Sequence, residues 1–119
     1  MELLKSIEKI RNHPESHRIG MIASHLGIVR GNSRNGREVT GVEVDYDMDV
    51  LNDIIEKVKS MEGIIEVVVE VNRGLLKVGD EIMFVAVGGD IRENVFPALI
   101  KAVDFIKKDC SRKNEIFKD

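Results

Sequence analysis

The residues with the most chemistry to offer in this sequence are basic, and they fall where elements begin or end. Arg30 closes an apolar stretch, Arg34 and Arg37 flank a turn, and Arg92 opens the last helical segment. Lys107 and Lys108 close that segment, with Lys113 and Lys118 beyond it. Guanidinium and ammonium groups hold phosphates and carboxylates, arginine through a planar fork and lysine as a point charge. The segment from Leu75 to Phe96 is the most informative: a turn at Lys77-Val78-Gly79-Asp80, an apolar strand, a break at Gly88-Gly89, then Arg92. A helix beginning there offers unpaired N–H groups and a positive dipole end, and an added arginine favours an anionic ligand. The same residues also read as an ordinary strand-to-helix connection with a solvated arginine. Likewise Lys107, Lys108, Arg112, Lys113 and Lys118 read as cations suited to a helix C-terminus. Local pattern by itself favours these ordinary readings.

Other chemistries find no footing. There is no phosphate loop of the Gly-x-x-x-x-Gly-Lys-Ser/Thr kind, no His-Glu-x-x-His and no Gly-x-Ser-x-Gly elbow. His13 and His17 flank a helix end while His25 lies in a strand, so a metal shared by all three is disfavoured and His25 reads as a polar strand residue. The single Cys110 has no partner for an intrachain disulfide or a zinc site. A net charge of -3, from 18 basic and 21 acidic residues, argues against a nucleic-acid binder, as do only four Phe and one Tyr. No apolar run approaches the roughly 20 residues that cross a bilayer. No signal peptide is expected, because Glu2 and Lys5 interrupt the first apolar positions. The expectation is one cytoplasmic domain over residues 1–119.

The elements that must position the cations follow from periodicity. Leu3, Leu4, Ile7 and Ile10 predict a helix over Glu2 to Asn12, ended by His13-Pro14. Ile19 to Val29 predicts a strand, Gly31 to Gly36 a tight hairpin turn, and Val39 to Tyr46 the return strand. Asp47 or Asp49 caps a helix whose stripe is Val50, Leu51, Ile54, Ile55, Val58 and Met61, closed by Gly63. Ile64 to Val71 and Glu81 to Val87 are the next strands. The last helix puts Val95, Phe96, Leu99, Ile100, Val103 and Ile106 toward the core. Asp90 and Glu93 resemble a capping box, but Pro97 would then fall inside the helix, so a start at Asn94 is expected. The order is helix, two strands, helix, two strands, helix. It predicts an α+β fold, a mainly antiparallel sheet with helices packed on one face, whose flexible parts are the Gly31–Gly36 loop and the last ten or so residues.

Collinear motifs add a resemblance. Gly27-Ile28-Val29-Arg30-Gly31-Asn32, Val44-Asp45-Tyr46, Gly74-x-Leu76-x-Val78-Gly79-Asp80, Arg92-x-x-x-Phe96-x-Ala98 and Val103-Asp104-x-Ile106-Lys107 follow one another in the order and spacing of one family. From about Gly20 to Lys107 the chain resembles the large, catalytic subunit of molybdopterin synthase, whose fold is α/β-hammerhead-like.

That resemblance implies a sulfurtransferase of molybdenum cofactor biosynthesis. Such an enzyme takes cyclic pyranopterin monophosphate and builds the molybdopterin dithiolene, with sulfur supplied as the C-terminal thiocarboxylate of a small ubiquitin-like carrier subunit. It works as a homodimer within a heterotetramer and needs no metal or organic cofactor for this step. The resemblance assigns substrate binding to Arg30, Arg92 and Arg34, and catalysis to Lys107 with a second lysine. Three departures mark this chain, the first being that the helix expected over Glu2 to Asn12 stands where the family has an initial strand. Ile91 stands where the family has a histidine before the helix-opening arginine, and Asn114 stands seven positions after Lys107, where the second lysine belongs. Lys113 and Lys118 are the available replacements. The alternative is a catalytically impaired homologue that binds a partner or an anion as a dimer.

Overall fold

A computed structural model describes residues 1–119. Helix α1 spans Leu3–Arg11, followed by a single 3-10 turn at Ser16–Arg18 and strand β1 at Met21–Ile28. Strand β2 is Val39–Tyr46, helix α2 Met48–Lys59, and strands β3, β4 and β5 are Ile64–Val71, Gly74–Lys77 and Glu81–Gly89. Helix α3 covers Arg92–Phe105, runs into a π-helical turn at Ile106–Cys110, and leads directly into strand β6, Ser111–Phe117.

The strands form two antiparallel three-stranded sheets, ordered β1-β5-β3 and β4-β2-β6. The α+β class and antiparallel pairing agree with the sequence reading, but the pairing partners do not. β1 and β2 do not form a hairpin: β1 lies against β5 and β2 against β4 and β6, with only a bridge between Asn32 and Glu38 closing the loop between them. The tail is no flexible end, because Ser111–Phe117 runs alongside β2 from Tyr46 to Val39. Its sequence alternates poorly because it is an edge strand, and the exposed positions Arg112 to Ile116 carry no buried face.

Helices cover both faces of the first sheet. Along β5, Met83, Val85 and Val87 join the main core with α2, α3 and the π-turn residues Ile106 and Cys110. The alternate residues Phe84 and Ala86 pack with Ile10 of α1 on the other side. A strand buried on both faces reads as an unbroken apolar run, which is why alternation does not show there. One end of the second sheet packs in a small cluster of Val29, Val39 and Val42, while Val44 and Tyr46 of β2 join the main core.

Helix α2 begins where Asp47 accepts hydrogen bonds from the N–H groups of Asp49 and Val50, both at 3.1 Å. Helix α3 begins at Arg92, not Asn94, and Pro97 lies inside it. Ile91, extended at the N-cap, has no side-chain acceptor to offer; Asp90 instead accepts from the N–H of Ile91 at 2.6 Å and from the Asn94 side-chain amide at 2.9 Å. The buried stripe of α3 is Val95, Ala98 and Ala102, continued by Ile106 of the π-helical turn, while Phe96 and Ile100, expected in the core, are exposed. The two alanines let α3 approach β1 and β5 closely, and that contact sets the rotation of the helix. Gly89 allows the same closeness at the sheet end, where an added Cβ would lie 2.6 Å from the Gly63 carbonyl oxygen.

Candidate functional site

Lys107 owes its position to its neighbours. Ile106 is wholly buried before it and Cys110 is buried after it. The Cys110 thiol donates to the Asp47 carbonyl at 3.2 Å, and the Cys110 carbonyl accepts from the Asp47 N–H at 3.0 Å. The π-helical turn is therefore clamped to the start of α2, and it projects exposed Lys107 from a fixed backbone. Such turns are uncommon and recur at functional positions. Burial pushes the Cys110 thiol up, so this cysteine is an inert anchor and no nucleophile.

His25 lies in β1, the strand that pairs with β5. It pairs with Val85, and Val85 belongs to the core beneath α3. Its Nε2 is buried without a hydrogen-bond partner. Burial first, and the Lys107 cation second, hold the imidazole below its ordinary pKa, which keeps it neutral at pH 7. The ring lies over Gly27, where an added Cβ would sit 3.5 Å from Nε2 and 2.8 Å from Cγ2 of Ile82. Sequence reading passed over His25 as a polar strand residue. The available signal was a histidine two positions before a glycine on one face of a strand, which leaves room for a ring.

The other cations are distributed along the molecule. Arg92 is exposed in the first turn of α3, within 4.0 Å of Glu93. It precedes Lys107 by nearly the whole of α3, about 22 Å at 1.5 Å per residue. Arg30 lies just past the end of β1, and Met21, at the strand's start, pairs with Gly89 beside the beginning of α3. Arg92 and Arg30 are thus at opposite ends of β1, about 23 Å of strand apart. Arg34 is exposed in the Ser33–Gly36 turn. Its neighbour Arg37 stacks on Phe117 at 3.8 Å from the ring centroid.

The two candidates for a second lysine also separate. Lys113 enters β6 opposite Val44, close to the π-helical turn, while Lys118 lies past the far end of β6 and pairs with Glu38 at 3.3 Å. No loop at Cys110–Arg112 folds Lys118 back, because β6 starts at Ser111.

Two open grooves mark the surface. One of about 430 Å³ lies beside Gly20 with Arg11, Ser16 and Ile19; the other, of about 450 Å³, crosses the second sheet between Arg73, Asp45 and Arg112. Neither is lined by Arg30 or Lys107. No group of three or more His, Cys, Asp or Glu residues is placed to hold a metal ion, and no helix is long and apolar enough to cross a membrane.

The MoaE protein family model matches residues 3–109. The chain belongs to this family. Solved structures agree on the fold. Molybdopterin synthase from Staphylococcus aureus is similar with a TM-score of 0.73 and 21% identity, over 90% of this chain and 86% of that one. A molybdopterin biosynthesis MoaE protein from Burkholderia ambifaria MC40-6 gives 0.73 and 20%, over 99% and 85%. A complex of subunits 1 and 2 of molybdopterin-converting factor from Helicobacter pylori 26695 gives 0.70 and 19%, over 99% and 82%. No curated protein matches the sequence.

Proposed function

We propose that this chain works in molybdenum cofactor biosynthesis as the catalytic subunit of molybdopterin synthase. It would act through residues 1–119 as one domain, transferring sulfur from a thiocarboxylated carrier to cyclic pyranopterin monophosphate. The observation that carries the proposal is the family match across residues 3–109, a span that contains Arg30, Arg92 and Lys107. Lys107 is the amine for proton transfer or transient covalency. Its rigid turn holds the amine while substrate comes to it, so little entropy is lost in orienting it. Lys113 takes the second lysine's role, since it follows Lys107 closely on β6 and is free of the ion pair that occupies Lys118. Arg30 binds the substrate phosphate in fork geometry, with Arg34 at the rim.

Arg92 is too far from Lys107 in one chain to touch the same small substrate. It serves a substrate only when a second copy of the chain supplies it, which fits a homodimer. Phe96 and Ile100, one turn apart on the same helix, are both exposed in the isolated chain, and this supports a protein contact there. A second reading, a homologue that kept the fold and binds a partner or anion without chemistry, is favoured by Ile91 at the histidine position and by the ion-paired Lys118.

The test is a single-turnover reaction of this protein with a thiocarboxylated carrier and the cyclic pterin, scored for dithiolene. Product that disappears in Lys107→Ala supports the enzyme. Carrier binding with no product from wild type supports the second reading.

A further inference from the structure

Helix α3 leaves one row of its surface without a partner in the isolated chain. Arg92, Phe96, Ile100 and Asp104 stand four residues apart, so they form a single ridge along the helix. All four are exposed, Phe96 by 49% and Ile100 by 60%. Half-buried Leu99 and Val103 lie beside them and widen the apolar strip toward the core. The charges at the two ends are available. Asp104 is in no ion pair, and Arg92 has only a 4.0 Å contact with its neighbour Glu93, both side chains being mostly exposed.

The order along the ridge is cation, apolar, apolar, anion. Turned end for end against a copy of itself, such a row sets each cation on an anion and each apolar side chain on another. With a two-fold axis level with Ala98, Arg92 meets the partner's Asp104 and Phe96 meets the partner's Ile100, and symmetry supplies each pair twice. The adjoining row, exposed Glu93, Pro97 and Lys101, reverses in the same way with the signs exchanged. A symmetric dimer presents the same patch from both chains and so requires self-complementarity, whereas an unrelated partner does not. The occupant that fits the ridge is therefore a second copy of this chain, in preference to the small carrier subunit.

We propose that α3 is the homodimer contact, two copies of the helix lying antiparallel on the ridge of Arg92, Phe96, Ile100 and Asp104. In that register the partner's Arg92 stands three residues from Lys107, about 4.5 Å along the helix axis. The distance of about 22 Å that separates these two cations within one chain is thereby closed between chains. Asp104 takes up part of the partner's Arg92 fork, and the remaining N–H donors face an anion held at Lys107.

The consequence for the site rests on the enzyme reading, but the contact is measured without substrate. The full chain and its variants would be followed by sedimentation velocity at low ionic strength, with circular dichroism to show that each is folded. Wild type should be a dimer and Ile100→Glu a folded monomer. Arg92→Glu and Asp104→Arg each set like charges together at both ends, and each should raise the dissociation constant at least about tenfold. An equimolar mixture of the two should dimerise nearly as tightly as wild type. In the mixed dimer each substituted residue faces its opposite, and the untouched Arg92 faces the untouched Asp104. In single turnover, Lys107→Ala mixed with Arg92→Ala, each inactive alone, should recover about a quarter of the wild-type rate. Half of those dimers are mixed, and one of their two sites is complete.

A monomeric wild type overturns the inference, and so does a dimer that Ile100→Glu leaves intact. A charge-swapped mixture that associates no better than either variant alone overturns the antiparallel register. If Ile100→Glu loses carrier binding and keeps the dimer, the ridge belongs to the carrier and the inference falls. If wild type forms no product, the enzyme reading fails while the association measurements still decide the contact.

Discussion

Ile106 and Lys107 are adjacent, and the structure assigns them opposite duties. Ile106 is 0% exposed and lies in the main core with Val85, Ala102 and Cys110. Ile106→Ala removes a buried branched side chain from a turn pinned at both ends, which leaves the site little freedom to collapse. The expected cost is about 2 to 5 kcal/mol. Unfolding entropy near the midpoint is about 2.1 cal/mol/K per residue, or about 0.25 kcal/mol/K for this chain of 119 residues. The melting temperature should therefore fall by about 8 to 20 °C. Lys107 is exposed and in no ion pair, so Lys107→Ala should change stability by less than about 0.5 kcal/mol, a shift under about 2 °C. It should also abolish sulfur transfer. The assay is a pair of thermal melts followed by circular dichroism, each with single-turnover rates at a temperature where both variants are folded. If Lys107→Ala melts as low as Ile106→Ala, Lys107 is structural and the clamped-turn argument fails. If Ile106→Ala melts like wild type, burial of Ile106 does not anchor the turn and the argument from its packing fails.

Three further outcomes are expected. Burial, and then the neighbouring Cys110, push the Tyr46 phenol up to about 12 from 10, and its hydroxyl donates to the Ile82 carbonyl at 3.1 Å. The fold thus favours the protonated phenol. That stability is complete below pH 10 and is lost as pH rises from 10 to about 12, by at most about 2.7 kcal/mol. Phenolate absorbance should titrate near pH 12 in the native protein, and titration near 10 before unfolding would refute the burial argument. Asp47→Ala removes the acceptor for two N–H groups of α2 and should cost about 1 kcal/mol, or about 4 °C in melting temperature, with an unchanged melt counting against the cap. The Cys110 thiol should resist alkylation at pH 8 in the native protein and react quickly in denaturant, and fast native labelling would show that the π-helical turn opens.

Local elements were legible in the sequence because their signals are local. The stripe Leu51, Ile54 and Val58 with an aspartate in front yields α2, and Asp47 is the cap observed. Ile64–Val71 and Val39–Tyr46 are strands with the residue limits that composition indicated. The chain order of Arg30, Arg92 and Lys107 carried the family resemblance, since order and spacing are one-dimensional properties. What those residues can do together is not one-dimensional. Alternation marks a strand without naming its neighbour, so β1 could be recognised while its pairing with β5, in place of β2, could not. The polar segment Ser111–Phe117 becomes a strand only because β2 offers it an open edge. Packing of Ala98 and Ala102 against the sheet turned Phe96 outward and fixed the rotation of α3. Tertiary structure alone put about 22 Å of helix between Arg92 and Lys107 and sent Lys118 to Glu38. It also left the buried His25 Nε2 without a partner, because which side chains face one another depends on sheet register and helix packing between segments far apart in the chain.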